Sequence, residues 1–123
     1  MRKIFLALIY TFSLAGICAQ DDSKQVWRVW YMTAKDGKGK QLERGMADHV
    51  EKFHPAGGWP EYFFEVISGP NAGSFMGFSG PHSWKSFDER VRSQGDIDHF
   101  NKFILPYSDN KNNSIDFWVH LPD

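Results

Sequence analysis

Cysteine is almost missing from this sequence, and neither sign of charge prevails in it. Cys18 is the only cysteine in 123 residues, so no disulfide can form within the chain. Fourteen basic residues against fifteen acidic ones give a net charge of −1. A balance of this kind argues against nucleic acid as a partner. Because no disulfide can form within the chain, the fold must be stabilised by its hydrophobic core alone.

A long hydrophobic run is also missing. The longest apolar stretch, residues 4–14, is interrupted by polar side chains and follows Arg2 and Lys3, whereas a spanning helix needs about 20 apolar residues. A basic start, an apolar middle and small residues up to Ala19 are typical of a cleavable secretory signal. We expect cleavage after Ala19, a secreted or periplasmic protein, and no membrane segment after cleavage. A retained anchor and a lipidated Cys18 are the alternatives.

The remaining residues, 20–123, are expected to form a single domain. Arg2 and Lys3 leave with the signal, so the net charge of −1 becomes −3, and thiol chemistry leaves with Cys18. All five tryptophans, nine of the eleven phenylalanines and three of the four tyrosines stay in the domain. Aromatic side chains bury large areas, and this number exceeds what one small core needs. The composition therefore indicates an oligomer or a ligand pocket.

The residue pattern predicts the order strand, helix, strand, strand, helix, strand. Runs rich in β-branched and aromatic residues predict strands at 26–33, 61–67, 74–79 and 115–121. An apolar stripe at helical spacing, made by Leu42, Met46, Val50 and Phe53, predicts the first helix. Ser86 and Glu89 form a candidate capping box for the second helix, and Asp96 a candidate cap for its continuation.

This order is that of the ferredoxin-like α+β fold, βαββαβ, with a four-stranded antiparallel sheet and both helices on one face. The strands are apolar on both sides: Trp27, Val29 and Tyr31 alternate with Arg28, Trp30 and Met32. The set without a charge is predicted to face the helices. The set with Arg28, together with Phe63 and Trp118, is predicted to face away from them, and a soluble monomer would not leave so much apolar surface open.

The element order, the size of the domain and the doubly apolar strands resemble the dimeric α/β-barrel superfamily. That superfamily includes antibiotic-biosynthesis-monooxygenase-like, EthD-like and NIPSNAP-like domains, and the resemblance covers residues 20–123. It implies a homodimer closed sheet against sheet. It also implies a cofactor-independent monooxygenase-like or isomerase-like enzyme acting on a small hydrophobic or aromatic molecule. A non-catalytic ligand-binding or dimeric interaction module is the alternative.

No cofactor is expected from this resemblance. The heme-degrading members of the superfamily share an asparagine on the first strand. This chain has Arg28 and Trp30 there instead. A metal site is not expected either, because His49 and His54 are five residues apart and would lie on different sides of a helix. His54 is expected to cap the end of the first helix.

His49 is the candidate catalytic residue. It lies beside the apolar stripe of the first helix, so its side chain could face a pocket. Histidine titrates near neutral pH and suits a general acid or base there. The alternative is a buried histidine that is satisfied by a backbone carbonyl.

Six further residues are candidates for binding a substrate: Arg28, Trp30, Tyr31, Trp59, Tyr62 and Trp118. Tyr31 or Tyr62 would share a cavity with His49. Trp59, in a loop rich in glycine and proline, would be either a plug over the core or a lid over a ligand.

Arg28 has two possible roles. It could pair with Glu65 across Gly77, which would satisfy two charges that are costly to bury. Without such a partner it would anchor an anion or a carboxylate.

Overall fold

The structure is a computed structural model, and it describes residues 25–121. The predicted signal peptide, with Cys18, lies outside the described residues. The elements in chain order are β1 Val26–Ala34, α1 Gly39–Phe53, β2 Glu61–Glu65, β3 Phe75–His82, α2 Trp84–Glu89, α3 Gln94–Phe103, a 3₁₀ turn at Leu105–Tyr107, and β4 Ser108–Val119. Within these residues no helix has the length and apolar character needed to cross a membrane.

The four strands form one open antiparallel sheet in the order β2-β3-β1-β4. Trp30 in the centre of β1 lies opposite Gly77 of β3 and Ile115 of β4. The predicted α+β class with a four-stranded antiparallel sheet is confirmed, and the arrangement is compatible with a ferredoxin-like fold. The open sheet leaves β2 and β4 as its edges.

The last strand is longer than predicted. Residues 108–113, which precede the strand predicted at 115–121, are the first part of β4, where Ser108 and Asp109 pair with Ala34 and Thr33. Most of β4 is exposed, so its pairing with β1 depends on backbone hydrogen bonds and needs no apolar side chains. Because residues 108–113 are polar, the sequence pattern did not predict this half of the strand.

In β1 and β2 the two faces of the sheet are reversed relative to the prediction. Trp30 and Met32 are buried in one cluster with Leu42 and Met46 of α1, and Phe63 packs against this cluster. The set with Arg28 therefore faces the helices. The prediction was wrong because it took the charge of Arg28 to mark the outer face, whereas Arg28 lines a polar cavity on the inner one.

Trp118 does lie on the face away from the helices. Its neighbour Phe117 contacts Trp84 and Phe87 of α2, and successive side chains of a strand point to opposite faces. On the outer face Trp118 meets Phe78 edge-on, with the two ring centroids 6.2 Å apart.

Close contact between α1 and α3 depends on Gly45. The buried stripe of α1 is Leu42, Gly45, Met46 and His49, so it ends at His49 rather than continuing to Val50 and Phe53. A Cβ at Gly45 would collide with the backbone carbonyl of Phe103 on α3. Glycine thus allows the two helices that carry His49 and Asp96 to approach each other.

Both later helices begin at a serine that the sequence prediction did not choose. Ser83 accepts a hydrogen bond from the Ser86 backbone N–H at 3.1 Å, and Ser93 accepts one from the Asp96 N–H at 3.2 Å. The predicted caps therefore lie three residues too late. Because Asp96 does not cap the helix with its side chain, its carboxylate is available inside the fold.

Candidate functional site

A cavity of about 170 Å³ lies between the sheet and the helices. It brings together four of the predicted site residues, namely Arg28, Trp30, Tyr31 and His49. Its other lining residues are Met32, Met46, His54, Glu61, Arg90, Arg92, Phe100, Asn113, Ser114 and Ile115. The cavity is thus apolar on one part of its wall and strongly polar on another.

His49 stands at the polar part, and its side chain is almost fully buried, at 2% exposed. Its Nε2 lies 3.2 Å from Asp96 Oδ1 and 3.3 Å from His54 Nε2. Its Nδ1 lies 3.1 Å from His99 Nδ1. Among residues 25–121 neither ring nitrogen meets a backbone carbonyl, so the alternative of a histidine satisfied by a carbonyl is wrong for this part of the chain.

His54 comes close to His49 because the helix has already ended. It is the residue that follows α1, with φ −129° and ψ 49°, and its backbone N–H donates to the Val50 carbonyl at 2.9 Å. The predicted place at the helix end is confirmed. The expectation that the two histidines lie on different sides was wrong, because it assumed helical geometry through residue 54.

Two carboxylates complete the polar wall. Glu61, at the start of β2, places Oε2 3.4 Å from His54 Nε2 and accepts from Arg90 at 3.4 Å. Asp96 accepts two hydrogen bonds from Arg92, at 3.1 Å and 2.5 Å. We call His49, His54, Glu61 and Asp96 the polar cluster; all four are buried.

The surroundings determine which groups of the polar cluster are charged. Burial, followed by the neighbouring His54, lowers the pKa of His49 to about 4, so its ring is neutral near pH 7. Burial by itself would raise the pKa of Asp96, but the hydrogen bonds and charge of Arg92 outweigh it and lower the pKa. Asp96 is therefore ionised beside a neutral imidazole.

Arg28 lines the cavity without an ion partner. Among the described residues none of the ion pairs involves Arg28, and its guanidinium lies over the Trp30 ring, 5.0 Å from the centroid. The predicted pairing with Glu65 is wrong: Glu65 is exposed at the far end of β2, and Trp30 covers Gly77. Burial lowers the pKa of Arg28, against the opposing effect of Glu61.

Trp59 lies behind the polar cluster and does not line the cavity. Its ring stacks on His82, with centroids 3.6 Å apart, and Arg90 lies 4.5 Å from the ring centroid. Its backbone carbonyl accepts from His54 Nδ1 at 3.1 Å. Trp59 therefore orients His54 through its backbone and lines a second groove beside the polar cluster, and its role as a plug or a lid stays a prediction.

Two further predicted binding residues lie outside the cavity. Tyr62 is 47% exposed and Trp118 48%. Tyr62 pairs with Phe78 on the outer face of the sheet, the same face that carries Trp118. Neither side chain approaches His49.

The sequence prediction missed Glu61, Asp96, His99, Arg90 and Arg92. These residues are distributed over β2, α3 and the segment between α2 and α3, and none belongs to a recognisable spacing. A second groove, of about 520 Å³, is lined by His54, Arg90, Arg92 and Asp96 among others. The polar cluster is thus reached from two sides.

No family model matches the chain, and neither the curated proteins nor the solved structures contain a match to it.

Proposed function

We propose that this protein is an enzyme acting on a small anionic molecule with an apolar body, held in the cavity with its charged group on Arg28. The observation that carries the proposal is a partly buried guanidinium, unpaired among the described residues, that shares a small cavity with His49, His54 and Glu61 of the polar cluster. A planar guanidinium suits a carboxylate, which it can bind through two parallel hydrogen bonds. The polar cluster is then the reacting end of the site.

The charges around the cavity favour an anion. Arg28, Arg90 and Arg92 supply three positive charges, whereas Glu61 and Asp96 supply two negative ones. Buried charges need partners, so one negative charge on a ligand would balance the site. The unbalanced positive charge is that of Arg28, because Arg90 and Arg92 pair with the two carboxylates.

The volume sets the size of the molecule. A cavity of about 150 Å³ can hold one benzene-sized molecule, and this one measures about 170 Å³. Trp30, Met32 and Phe100 supply the apolar wall. A carboxylate attached to a single ring fits both the volume and the wall.

A monooxygenase-like or isomerase-like reaction, which the superfamily resemblance implies, is part of this proposal. Both need groups that hold or move a proton beside the substrate, and the polar cluster contains an ionised carboxylate beside neutral His49. Binding without turnover is the alternative function, and the experiment below separates the two.

The test uses benzoate, with benzamide as the uncharged control of nearly equal size. Benzoate should raise the melting temperature of the protein and benzamide should not. Arg28→Gln should weaken benzoate binding at least about ten-fold, as expected for a lost charge-assisted pair. The matched control is Arg44→Gln, an exposed position on α1, and it should bind as the unchanged protein does.

Equal benzoate binding by the Arg28 and Arg44 variants would contradict the proposed role of Arg28 in binding the anionic group. Mass spectrometry of benzoate and related ring carboxylates after incubation then examines turnover. A chemical change in a bound compound supports the enzyme, whereas binding without any change across the panel supports the non-catalytic alternative.

We also propose that two copies close sheet against sheet as a dimeric α/β barrel. The support is the outer face, where Tyr62, Phe64 and Trp118 are about half exposed beside the Trp27–Phe78 stack. An apolar patch of this kind on a soluble protein indicates an interface. The ferredoxin-like fold and the dimeric barrel are proposed together.

Export is a further part of the proposal. Its support is the order of residues 1–19, which is that of a cleavable signal. Secreted or periplasmic material should then begin at Gln20.

A further inference from the structure

We propose that His49, His54 and Asp96 bind a divalent transition-metal ion, of the zinc or iron(II) type, at the wall of the cavity. The three side chains come from α1, the residue after α1, and α3. Their donor atoms all lie within 4.8 Å of one another, and all three residues are buried. Two imidazoles and a carboxylate are a donor set that binds zinc and iron(II) in proteins.

Two of the distances between the donor atoms fit coordination to one shared metal ion. Two bonds of about 2.0 to 2.1 Å at the tetrahedral angle place their donor atoms about 3.3 Å apart. The Nε2 atoms of His49 and His54 are 3.3 Å apart, and His49 Nε2 is 3.2 Å from Asp96 Oδ1.

The positions of the protons support the same conclusion at His54. Its Nδ1 faces the Trp59 carbonyl at 3.1 Å, and a carbonyl can only accept, so Nδ1 carries the hydrogen. In the neutral ring Nε2 then presents a lone pair, which points toward His49 Nε2 and the Glu61 carboxylate, 3.4 Å away. Where neither facing atom carries a hydrogen, a cation between the lone pairs removes their repulsion.

His49 is prepared in a similar way. Its Nδ1 and His99 Nδ1 are 3.1 Å apart, so one of the two nitrogens must carry a hydrogen. When that hydrogen belongs to His49, the Nε2 atom is free to bind a metal. Partners of this kind on the far side of a ligating imidazole fix its orientation and its tautomer.

Asp96 is held in place by Arg92 and keeps a donor position for the ion. Arg92 donates one hydrogen bond to each carboxylate oxygen, and an ionised carboxylate has about four lone-pair sites. The oxygen that faces His49 therefore has a lone pair to spare. Arg92 fixes the direction of this ligand as His99 fixes that of His49.

A metal in this position would extend the proposed function. The metal site itself depends only on its three ligands, whereas the role of the metal toward a substrate rests on the proposed function. Three protein ligands leave a coordination position open, as in catalytic zinc sites. The ligand residues His49 and His54 line the same cavity as Arg28. An ion there would act as a Lewis acid on a molecule anchored by Arg28.

The test starts from purified protein that is stripped with a chelator and then titrated with zinc chloride alone. Calorimetry and elemental analysis should give one zinc ion per chain. Cobalt(II) loaded into the unchanged protein should show the intense visible absorption of a four- or five-coordinate site. This measurement needs no variant, so a folding defect cannot obscure it.

Variants then locate the site. His54→Ala should lose stoichiometric zinc binding, and His99→Phe should weaken it roughly ten-fold, as for other groups that orient a ligand. The matched control is His120→Ala, which is exposed near the C-terminus and should bind zinc normally. Equal zinc binding by the His54 and His120 variants, or no stoichiometric binding by the unchanged protein, would overturn the proposal and assign the polar cluster to proton sharing.

This experiment separates the two proposals. Stoichiometric zinc with no effect of Arg28→Gln on benzoate would support the metal site and contradict the anionic substrate. Benzoate binding that depends on Arg28, in a protein that takes up no zinc, would contradict the metal site alone.

Discussion

The role of a residue in this protein depends on its contacts with other segments of the chain. His82 is an example: its Nε2 lies 2.8 Å from the Ser79 hydroxyl, which donates to the Pro60 carbonyl at 2.8 Å. Because that hydroxyl has given its hydrogen away, the histidine nitrogen must donate. Stacked on Trp59, His82 thus holds the loop whose carbonyl orients His54.

The titration of His82 makes stability depend on pH. Burial, with the nearby charge of Arg90, lowers the pKa of His82 below 6.5. Below about pH 6.5 the unfolded chain takes up a proton at this residue that the folded chain does not. The free energy of unfolding should therefore fall as the pH is lowered from 7 toward 5.

Urea unfolding at several pH values, with chelator present, measures this effect. His82→Phe keeps a ring against Trp59 but cannot titrate, so its stability should fall less over the same range. His120→Gln, at an exposed position, should keep the slope of the unchanged protein. An identical slope in the His82 variant would contradict the assignment.

At the scale of elements, the distance between α1 and α3 determines whether the site exists. His49 and Asp96 belong to different helices, and their side chains meet because Gly45 lets α1 approach the carbonyl of Phe103. Helix packing is therefore part of the site, although Gly45 itself touches no substrate or ligand.

Gly45→Ala should separate the two helices. In an exposed helix this change would stabilise by up to about 1 kcal/mol, but overpacking costs typically about 1 to 3 kcal/mol. We expect net destabilisation, together with weaker zinc binding, because Asp96 would move away from His49.

The control for this variant is Gly39→Ala in the first turn of α1, where an added Cβ meets nothing. It should leave zinc binding unchanged. Denaturant unfolding and zinc calorimetry on both variants make the comparison. If Gly45→Ala is as stable as Gly39→Ala and binds zinc equally well, close packing at Gly45 is not needed.

At the scale of the whole molecule, the aromatic outer face predicts assembly. Trp118→Glu should convert a dimer into monomer or aggregate, because a charge placed in an apolar interface has no partner there. The control is Val91→Glu, at a position between α2 and α3 that is 91% exposed. Sedimentation should show the dimer for the control and for the unchanged protein, and a native monomer at micromolar concentration would contradict the barrel.

The sequence by itself determined the order of the helices and strands and the α+β class of the protein. Apolar spacing in Val26–Ala34 and in Gly39–Phe53 is local information, and each element follows from residues that are neighbours in the chain. The same spacing placed His49 beside the buried stripe of α1, which made it the one residue of the polar cluster that was predicted as catalytic.

Only the tertiary structure decided which face of the sheet meets the helices and which residues meet His49. Alternation in β1 shows that Arg28 and Trp30 share a face, but the helices cover whichever face packs better, and the cavity beside Arg28 made that face acceptable. His54 joined the polar cluster because the helix ended before it, and Asp96 joined because Gly45 let α3 approach. Contacts between residues this far apart in sequence depend on packing, which no local pattern encodes.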